Sequence, residues 1–428
     1  MWKENLQWIS FFFDIIIIFA MDYKNIGDMM IERAECMATL RRWKDKRVIK
    51  VVTGIRRCGK SSLLQMFQDY LLDNGVSREQ VQHINFEDID NEPFLDYHAL
   101  HRHVKENLLE GQMNYLFFDE IQMVDQFQKA IDSLSLLDNV DIYVTGSNAY
   151  LLSGEIATLL TGRYVEVRLL PFSFSEYLKA LPPTTTMTDA YRQYVEYGAF
   201  PYVLQIKDNA EMVTEYLSGL YNTIVLKDVV GRNKITDTMM LQSIVRFLAD
   251  NIGNLSVIKR ISDTLTSLGR KTTSHTVESY ISVLLDSYIF YSVPRYDAKG
   301  KQLLKTGMKV YLADVGLRRV ICGAKGGDMG QILENIVYLE LLRRGGEIYV
   351  GKMGESEIDF IVISQGQKTY YQVALTVRDE QTLQRELEPL LALPDSFPKY
   401  LITLDNDPVC FHEGIKQIYA LDWLTGKS

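Results

Sequence analysis

The apolar positions of the first third of the chain fall into short β-branched and aromatic runs separated by segments of helical period. Lys50–Thr53 (KVVT), Asn114–Asp119 (NYLFFD) and Val140–Gly146 (VDIYVTG) carry almost no alternation, which predicts strands buried on both faces. The run LLQMFQDYLL after the first strand has the 3.6-residue repeat of an amphipathic helix. Strands and helices in alternation predict an α/β fold on a parallel sheet. Pro182, Pro183 and Thr184–Thr186 mark a linker, and residues 189–239 are helical throughout, as in AYRQYVEYGAF and EMVTEYLSGLYNTIVLKDVV. The stripe Tyr191, Tyr194, Tyr197 and Tyr202 reads as packing. Residues 240–325 read as three helices and a β-ribbon. These are LQSIVRFLADNIG, then VIKRISDTLTSLG opened by Ser256 and ended by Gly269, then HTVESYISVLLDSY capped by Ser274, then the hairpin IFYSVPRYDAKGKQLLKTGMKVYLAD. That order predicts a winged helix. An amphipathic helix (Gly330–Arg344) and two strands (Glu357–Ile363, Lys368–Val377) follow. The predicted boundaries are a tail at 1–30, an α/β core at 31–181, a helical lid at 182–239, the winged helix at 240–325 and a C-terminal α/β domain at 326–428.

Composition sharpens this in two places. With 47% apolar and 24% charged residues, the 428-residue chain is neither disordered, collagen-like nor a coiled coil. Its formal net charge is −9, yet residues 240–325 hold 13 Lys and Arg against 6 Asp and Glu. That segment is therefore +7 and the remainder −16. Any contact with nucleic acid is local, through Lys259, Arg260, Arg270, Lys271 and the hairpin. The third helix (Ser274–Tyr288) offers no Arg, Lys, Asn or Gln to base edges, so double-stranded DNA would be read by phosphate and shape. The other reading of the module is a lid or a contact for a protein client. Cys36, Cys58, Cys322 and Cys410 lie far apart and form no CxxC, which fits a reducing, cytoplasmic setting. The apolar run Ile9–Ala20 is twelve residues long and contains Asp14. It falls short of the roughly 20 residues a bilayer needs, and no small-x-small cleavage site follows it. It is expected to be a loose tail or an over-extended start, without stable membrane insertion.

The strongest motif lies where the first strand meets its helix. Gly54-Ile55-Arg56-Arg57-Cys58-Gly59-Lys60-Ser61-Ser62 matches G-x-x-x-x-G-K-[ST] in full, between strand and helix. Gly54 and Gly59 let the backbone curl, so that the N–H groups of Arg57, Cys58, Gly59 and Lys60 face phosphate, at the positive end of the helix dipole. Lys60 is expected on the β- and γ-phosphates, Ser61 on Mg²⁺, and Ser62 as a second hydroxyl. The strand Asn114–Asp119 ends in Asp119-Glu120. Buried carboxylates at a strand end are costly unless a cation is near. Asp119 is expected to hold Mg²⁺ and Glu120 to activate water. Ser147 and Asn148, at the end of the third strand, are placed to sense the γ-phosphate. Arg163 is expected to supply positive charge to the transition state, in its own subunit or a neighbour's.

GIRRCGKSS, INFEDID, YLFFDEIQ, VTGSNAYLLSG and LTGRYVEVRLLPFSFSEYL together resemble the AAA-type predicted ATPases of bacteria and archaea. The resemblance runs from about Ile31 to the C-terminus. It implies a sheet of the additional-strand catalytic-glutamate class, with one strand between those carrying Lys60 and Asp119. It also implies a C-terminal domain related to the PD-(D/E)xK nucleases. There Asp359 matches the strand acid and Glu334 the helix acid, but the (E/D)-x-K position reads Gln372-Val373-Ala374. Gln carries no charge for a metal and Ala cannot replace Lys, so a degenerate domain used for binding or assembly is expected. His98, His101 and His103 read as a solvated helix face rather than a zinc site. The resulting expectation is a Mg²⁺-dependent ATPase, as monomer or homo-oligomer. Hydrolysis would drive its lid, winged helix and C-terminal domain. The alternatives are a nucleotide-gated DNA-binding regulator and, last, a nuclease.

Overall fold

Three runs without alternation form the centre of the first sheet, as their pattern requires. The computed structural model describes residues 31–152, 162–233, 235–300, 302–323 and 329–427. The tail at 1–30, Lys301, Lys325 and the Lys305 side chain lie outside the described residues. β1 (Ile49–Thr53), β2 (Val81–Asn85), β3 (Asn114–Asp119), β4 (Val140–Gly146) and β5 (Tyr164–Arg168) are all parallel, in the order β2-β3-β4-β1-β5. β1, β3 and β4 are buried at every position, whereas the edge strands β2 and β5 each expose part of their length. Helices Tyr97–Glu106 and Phe127–Ser135 cover one face through Leu100, Val104, Ile131 and Leu134. Helices Ala34–Trp43 and Lys60–Asp73 cover the other through Met37, Leu40, Leu63 and Phe67. β4 lies between β1 and β3, so the strand ends bearing Lys60 and Asp119 are next-but-one neighbours.

One ion pair sits inside this sheet. Lys50 of β1 and Asp141 of β4 are both buried and bonded to each other. The ammonium also donates to Lys46 O (2.9 Å), and the carboxylate accepts from Asp45 N (2.9 Å) and Tyr143 OH (2.8 Å). Such a pair tolerates burial because the remaining lone pairs and protons are satisfied.

The helical segment after the core comprises Met187–Tyr197, Val203–Ile206 and Ala210–Thr223, continued by the wide π-helical turn Ile224–Gly231. Helices Thr238–Asp250, Ile258–Ser267 and Ser274–Asp286 come next, then the antiparallel hairpin of β7 (Phe290–Asp297) and β8 (Gln302–Leu312). The short strand β6 (Leu255–Ser256) pairs with β8. One sheet then crosses the boundary expected at 325/326. β9 (Glu347–Met353) pairs in parallel with β7, Arg295 beside Val350. β10 (Ser356–Ser364), β11 (Gln367–Ala374), β12 (Lys399–Thr403), β13 (Cys410–His412) and β14 (Ile415–Tyr419) complete nine strands in the order β13-β14-β12-β11-β10-β9-β7-β8-β6. The free edge of the hairpin is thereby covered, which removes an unpaired row of backbone groups. Helix Met329–Arg344 lies against β8, β10 and β11. Its buried Leu333, Ile336, Val337 and Leu341 join the same apolar core as helices Met187–Tyr197 and Ala210–Thr223 and the helix bearing Lys60.

The buried pair at the base of the first sheet generates a stability prediction. Lys50→Ala strands Asp141 and should cost about 3–5 kcal/mol in urea unfolding. The double variant Lys50→Met/Asp141→Leu should recover most of that loss. A single-variant loss under about 1 kcal/mol would show that the pair is not what holds β1 to β4.

Candidate nucleotide site

The chain turns sharply out of β1 because two glycines permit it. Gly54 has φ +152°, and a Cβ there would come within 2.1 Å of Leu169 O. Gly59 has φ +103° and opens the helix Lys60–Asp73. The N–H groups of that helix's first turn have no acceptor within the helix, which makes the turn an anion cradle. Ser61 is exposed and Ser62 half-buried on that turn, Arg57 is exposed, and Cys58 is buried. Burial pushes the Cys58 thiol up, so it is a packing group rather than a nucleophile.

Lys60 and the carboxylate pair meet across β4. Lys60 Nζ donates to Gly54 O (3.2 Å) and Ile55 O (3.5 Å), and lies 3.5 Å from Glu120 Oε1. Burial alone would raise the Glu120 pKa, but Lys60 and Arg56 outweigh it and hold the carboxyl below its ordinary range. Burial works against the charge of Lys60 as well, and Glu120, Cys58 and Asp119 overcome it, leaving the ammonium above its ordinary value. Both groups are therefore charged at neutral pH. Glu120 is in the left-handed region at φ +54°, which costs on the order of 1 kcal/mol. Its backbone N–H donates to Thr145 Oγ1 (2.9 Å), and its Oε2 accepts from Ser147 Oγ (3.1 Å) and Gln122 Nε2. Asp119 is 1% exposed and accepts from the Thr145 hydroxyl. Asn148 is buried beside this group in sequence. Among the described residues no three His, Cys, Asp or Glu side chains are disposed to hold a metal. Mg²⁺ on a triphosphate needs no such cage. The oxygen donors Ser61 and Asp119 fit it, with phosphate oxygens supplying the rest.

Two arginines that the sequence reading passed over fix the loop. Arg33, buried, donates to Cys58 O (2.7 Å), Leu170 O (2.7 Å) and Glu176 Oε2 (2.7 Å), and stacks on Phe172. Arg56 forks onto the buried Asp228 of the π-helical turn (3.0 and 3.3 Å) and reaches Glu87 (2.9 Å). The second guanidinium thus ties the loop directly to the helical segment. Arg163 is elsewhere. Its carbonyl accepts from Ile49 N (2.8 Å) at the start of β1, and its side chain pairs with Asp132 (2.6 Å). β1 separates it from the loop by roughly 15 Å, so Arg163 does not reach the site of its own subunit.

The C-terminal acids also converge, on a partner that motif spacing did not suggest. Lys309 Nζ of β8 contacts Glu334 Oε1 (2.9 Å), Asp359 Oδ1 (3.0 Å) and Glu357 Oε1 (2.7 Å). Tyr311 OH donates to Glu334 Oε1 (2.6 Å). Burial, then the neighbouring Asp359, pushes Glu334 up to about 7. Three of the basic residues counted between 240 and 325 are thus not a free positive surface. Lys309 is spent on these acids, Arg318 is buried against Ala249 O (3.0 Å), and Arg319 pairs with Glu196 (2.7 Å). Lys259, Arg260, Lys271 and Lys299 are exposed. The histidines do not converge on a common centre. His98 packs on Tyr97, His101 bonds Ser133, and His103 stacks on Phe94.

Parts of the chain are similar to known proteins. Residues 46–178 match the family model described as an AAA domain, and residues 188–327 match a domain of unknown function, DUF8612. An uncharacterized protein of Haemophilus influenzae is 40% identical over 92% of this chain and 98% of its own length. The uncharacterized protein MJ1544 of Methanocaldococcus jannaschii is 29% identical over 79% of this chain and 77% of its own. Among solved structures, the Walker-type ATPase PABY2304 of Pyrococcus abyssi aligns over 68% of this chain and 96% of its own at 17% identity, with a TM-score of 0.48. The Aeropyrum pernix ORC1 protein, solved in complex with DNA, aligns over 70% and 94% at 13% identity, with a TM-score of 0.32. No helix of the described residues is long and apolar enough to cross a membrane.

The clamp on the loop carries its own test. Arg33→Ala leaves Cys58 O, Leu170 O and Glu176 without their donor, and should lower stability by about 2–4 kcal/mol. It should also weaken ATP binding at least tenfold in calorimetric titration, because the loop loses its anchor. ATP affinity equal to wild type would show that the loop holds its shape without Arg33.

Proposed function

The chain belongs to one family with its Haemophilus influenzae relative and carries an AAA domain at residues 46–178, and we propose that it is a Mg²⁺-dependent ATPase whose hydrolysis moves the segments after residue 182. The observation that carries this reading is the meeting of Lys60 with Glu120 at 3.5 Å, on a complete phosphate loop. Arg57, Gly59 and Lys60 would present their N–H groups to the β- and γ-phosphates, with the Lys60 ammonium as point charge, while Gly54 and Cys58, whose N–H donates to Ile55 O (3.3 Å), shape the turn. Ser61 and Asp119 would hold Mg²⁺, which on binding neutralises phosphate charge. Ser147 and Gln122 hold the Glu120 carboxylate in place, ionised, so that it can accept a proton from attacking water. Ser62 and Asn148 flank the same space. Arg163 would serve only a neighbouring subunit, which makes a homo-oligomer part of the proposal.

Coupling rests on Arg56, which joins the loop to Asp228 of the helical segment. A phosphate drawing Arg56 away would loosen that joint and let the lid shift. We read 238–312, three helices and a hairpin, as a winged helix, and 329–427 as the degenerate nuclease-like domain. The exposed Lys259, Arg260, Lys271 and Lys299 favour one second reading, a nucleotide-gated regulator that holds double-stranded DNA by its phosphates. A protein client is the other outcome for that surface.

Lys60→Ala should weaken ATP binding roughly 10–100-fold. Glu120→Gln should bind ATP as wild type does and lose phosphate release by about 10²–10⁴. Steady-state phosphate release, with and without double-stranded DNA at two salt concentrations, checks both readings. Stimulation by DNA that fades with salt supports the DNA contact. Unchanged binding by Lys60→Ala would overturn the site.

A further inference from the structure

We infer that Lys309 is the resident cation of the C-terminal acid cluster, so that this half of the chain holds together by an internal ion-pair clamp and not by a divalent metal. An ammonium has three N–H donors. All three of Lys309 are used, on Glu334, Glu357 and Asp359 at 2.7–3.0 Å. These are N–H···O separations. A magnesium ion would draw the same oxygens to about 2.0–2.1 Å.

The remaining positions of the cluster are also closed to a metal. Gln372 stands where a ligating carboxylate would be. Its Oε1 accepts from Asp359 N (3.3 Å), and its Nε2 donates to Glu386 Oε2 (2.8 Å). A neutral amide does both, whereas an ionised carboxylate at 372 has no proton to donate and would oppose Glu386. The second oxygen of Asp359 is taken by Val373 N (3.0 Å). Access to Glu334 is restricted as well, whereas the Glu357 side chain is 34% exposed. Gly253 N donates to Val310 O (3.1 Å), and a Cβ on Gly253 would lie 3.0 Å from Glu334 Oε2. The turn after helix Thr238–Asp250 therefore lies over the Glu334 carboxylate, where a nuclease would have to admit a phosphodiester.

The cluster joins three elements. Lys309 comes from the hairpin, Glu334 from helix Met329–Arg344, and Glu357 with Asp359 from β10. Together with the parallel pairing of β7 and β9, it makes the hairpin and the C-terminal strands one body. A displacement of the lid then moves the exposed lysines and the C-terminal half together.

Thermal unfolding of the full chain, without added nucleotide, in EDTA or in Mn²⁺, tests this. The wild-type midpoint should be the same in both, and so should that of Asp359→Asn with respect to metal. Lys309→Met should unfold about 5–10 °C lower, since three carboxylates lose their counter-ion. Lys309→Ala, with room for an ion, should regain part of its loss in Mn²⁺, and Lys309→Ala/Asp359→Asn should not. A wild-type midpoint raised by Mn²⁺, with the rise lost in Asp359→Asn, would establish a metal site and overturn the inference. So would a Lys309→Met variant as stable as wild type. The wild-type and Asp359→Asn arms decide even if the Lys309 variants do not fold.

Discussion

The structure depends on how buried charge is balanced between a cation from one strand end and a carboxylate from another. Lys60 and Glu120 sit 3.5 Å apart where desolvation disfavours both charges. Each remains ionised because the other is there. The loop carbonyls of Gly54 and Ile55 take the remaining protons of Lys60, while Ser147 and Gln122 take lone pairs of Glu120. A triphosphate that enters has to replace these contacts with better ones. In the proposed function, a phosphate oxygen cluster carries more charge than one carboxylate, so exchange would favour the ligand and would free Glu120 to face water.

The same economy of charge recurs at three other points. Lys50 and Asp141 tie β1 to β4 at the base of the first sheet. Arg56 and Asp228 tie the loop to the helical segment. Lys309 ties the hairpin to the acids behind it. At the Lys50–Asp141 pair, removing one partner leaves the other buried without its counter-ion, which is far costlier than never having had the pair, whereas Asp228 also has Arg232 (3.6 Å) and Lys309 has three acids. Arg56 differs in lying in the phosphate loop itself, with its side chain 12% exposed against 0% for Lys50 and 3% for Lys309, so it is the one placed to change partner.

Much of this was legible in the chain. β1, β3 and β4 are buried on both faces and so read as unbroken apolar runs, and the loop and Asp119-Glu120 followed from spacing. That the end of β4 lies beside the strand carrying Asp119 was legible as well, because strand ends of a parallel sheet share one side, but the bond of Ser147 to Glu120 was not. The edge strands β2 (VQHIN) and β5 (YVEVR) are half-solvated and carry a weaker pattern. Arg33 and Arg56 had no such signal, since their partners lie 143 and 172 residues away in Glu176 and Asp228. Glu334 and Asp359 match the acids of the motif, but its lysine position is occupied by Ala374. The ammonium that serves them comes from β8, on the other side of the expected boundary at 326. Charge counting misled for the same reason. Lys309 and Arg318 added to a positive total while being consumed inside the fold.

The most direct measurement is a crystal or cryo-EM structure of Glu120→Gln with Mg·ATP. The account predicts Lys60 Nζ on the β- and γ-phosphate oxygens, its bonds to Gly54 O and Ile55 O broken, and Asp119 and Ser61 on the metal side of the triphosphate. A nucleotide bound away from the loop, with Lys60 still on its own carbonyls, would contradict it.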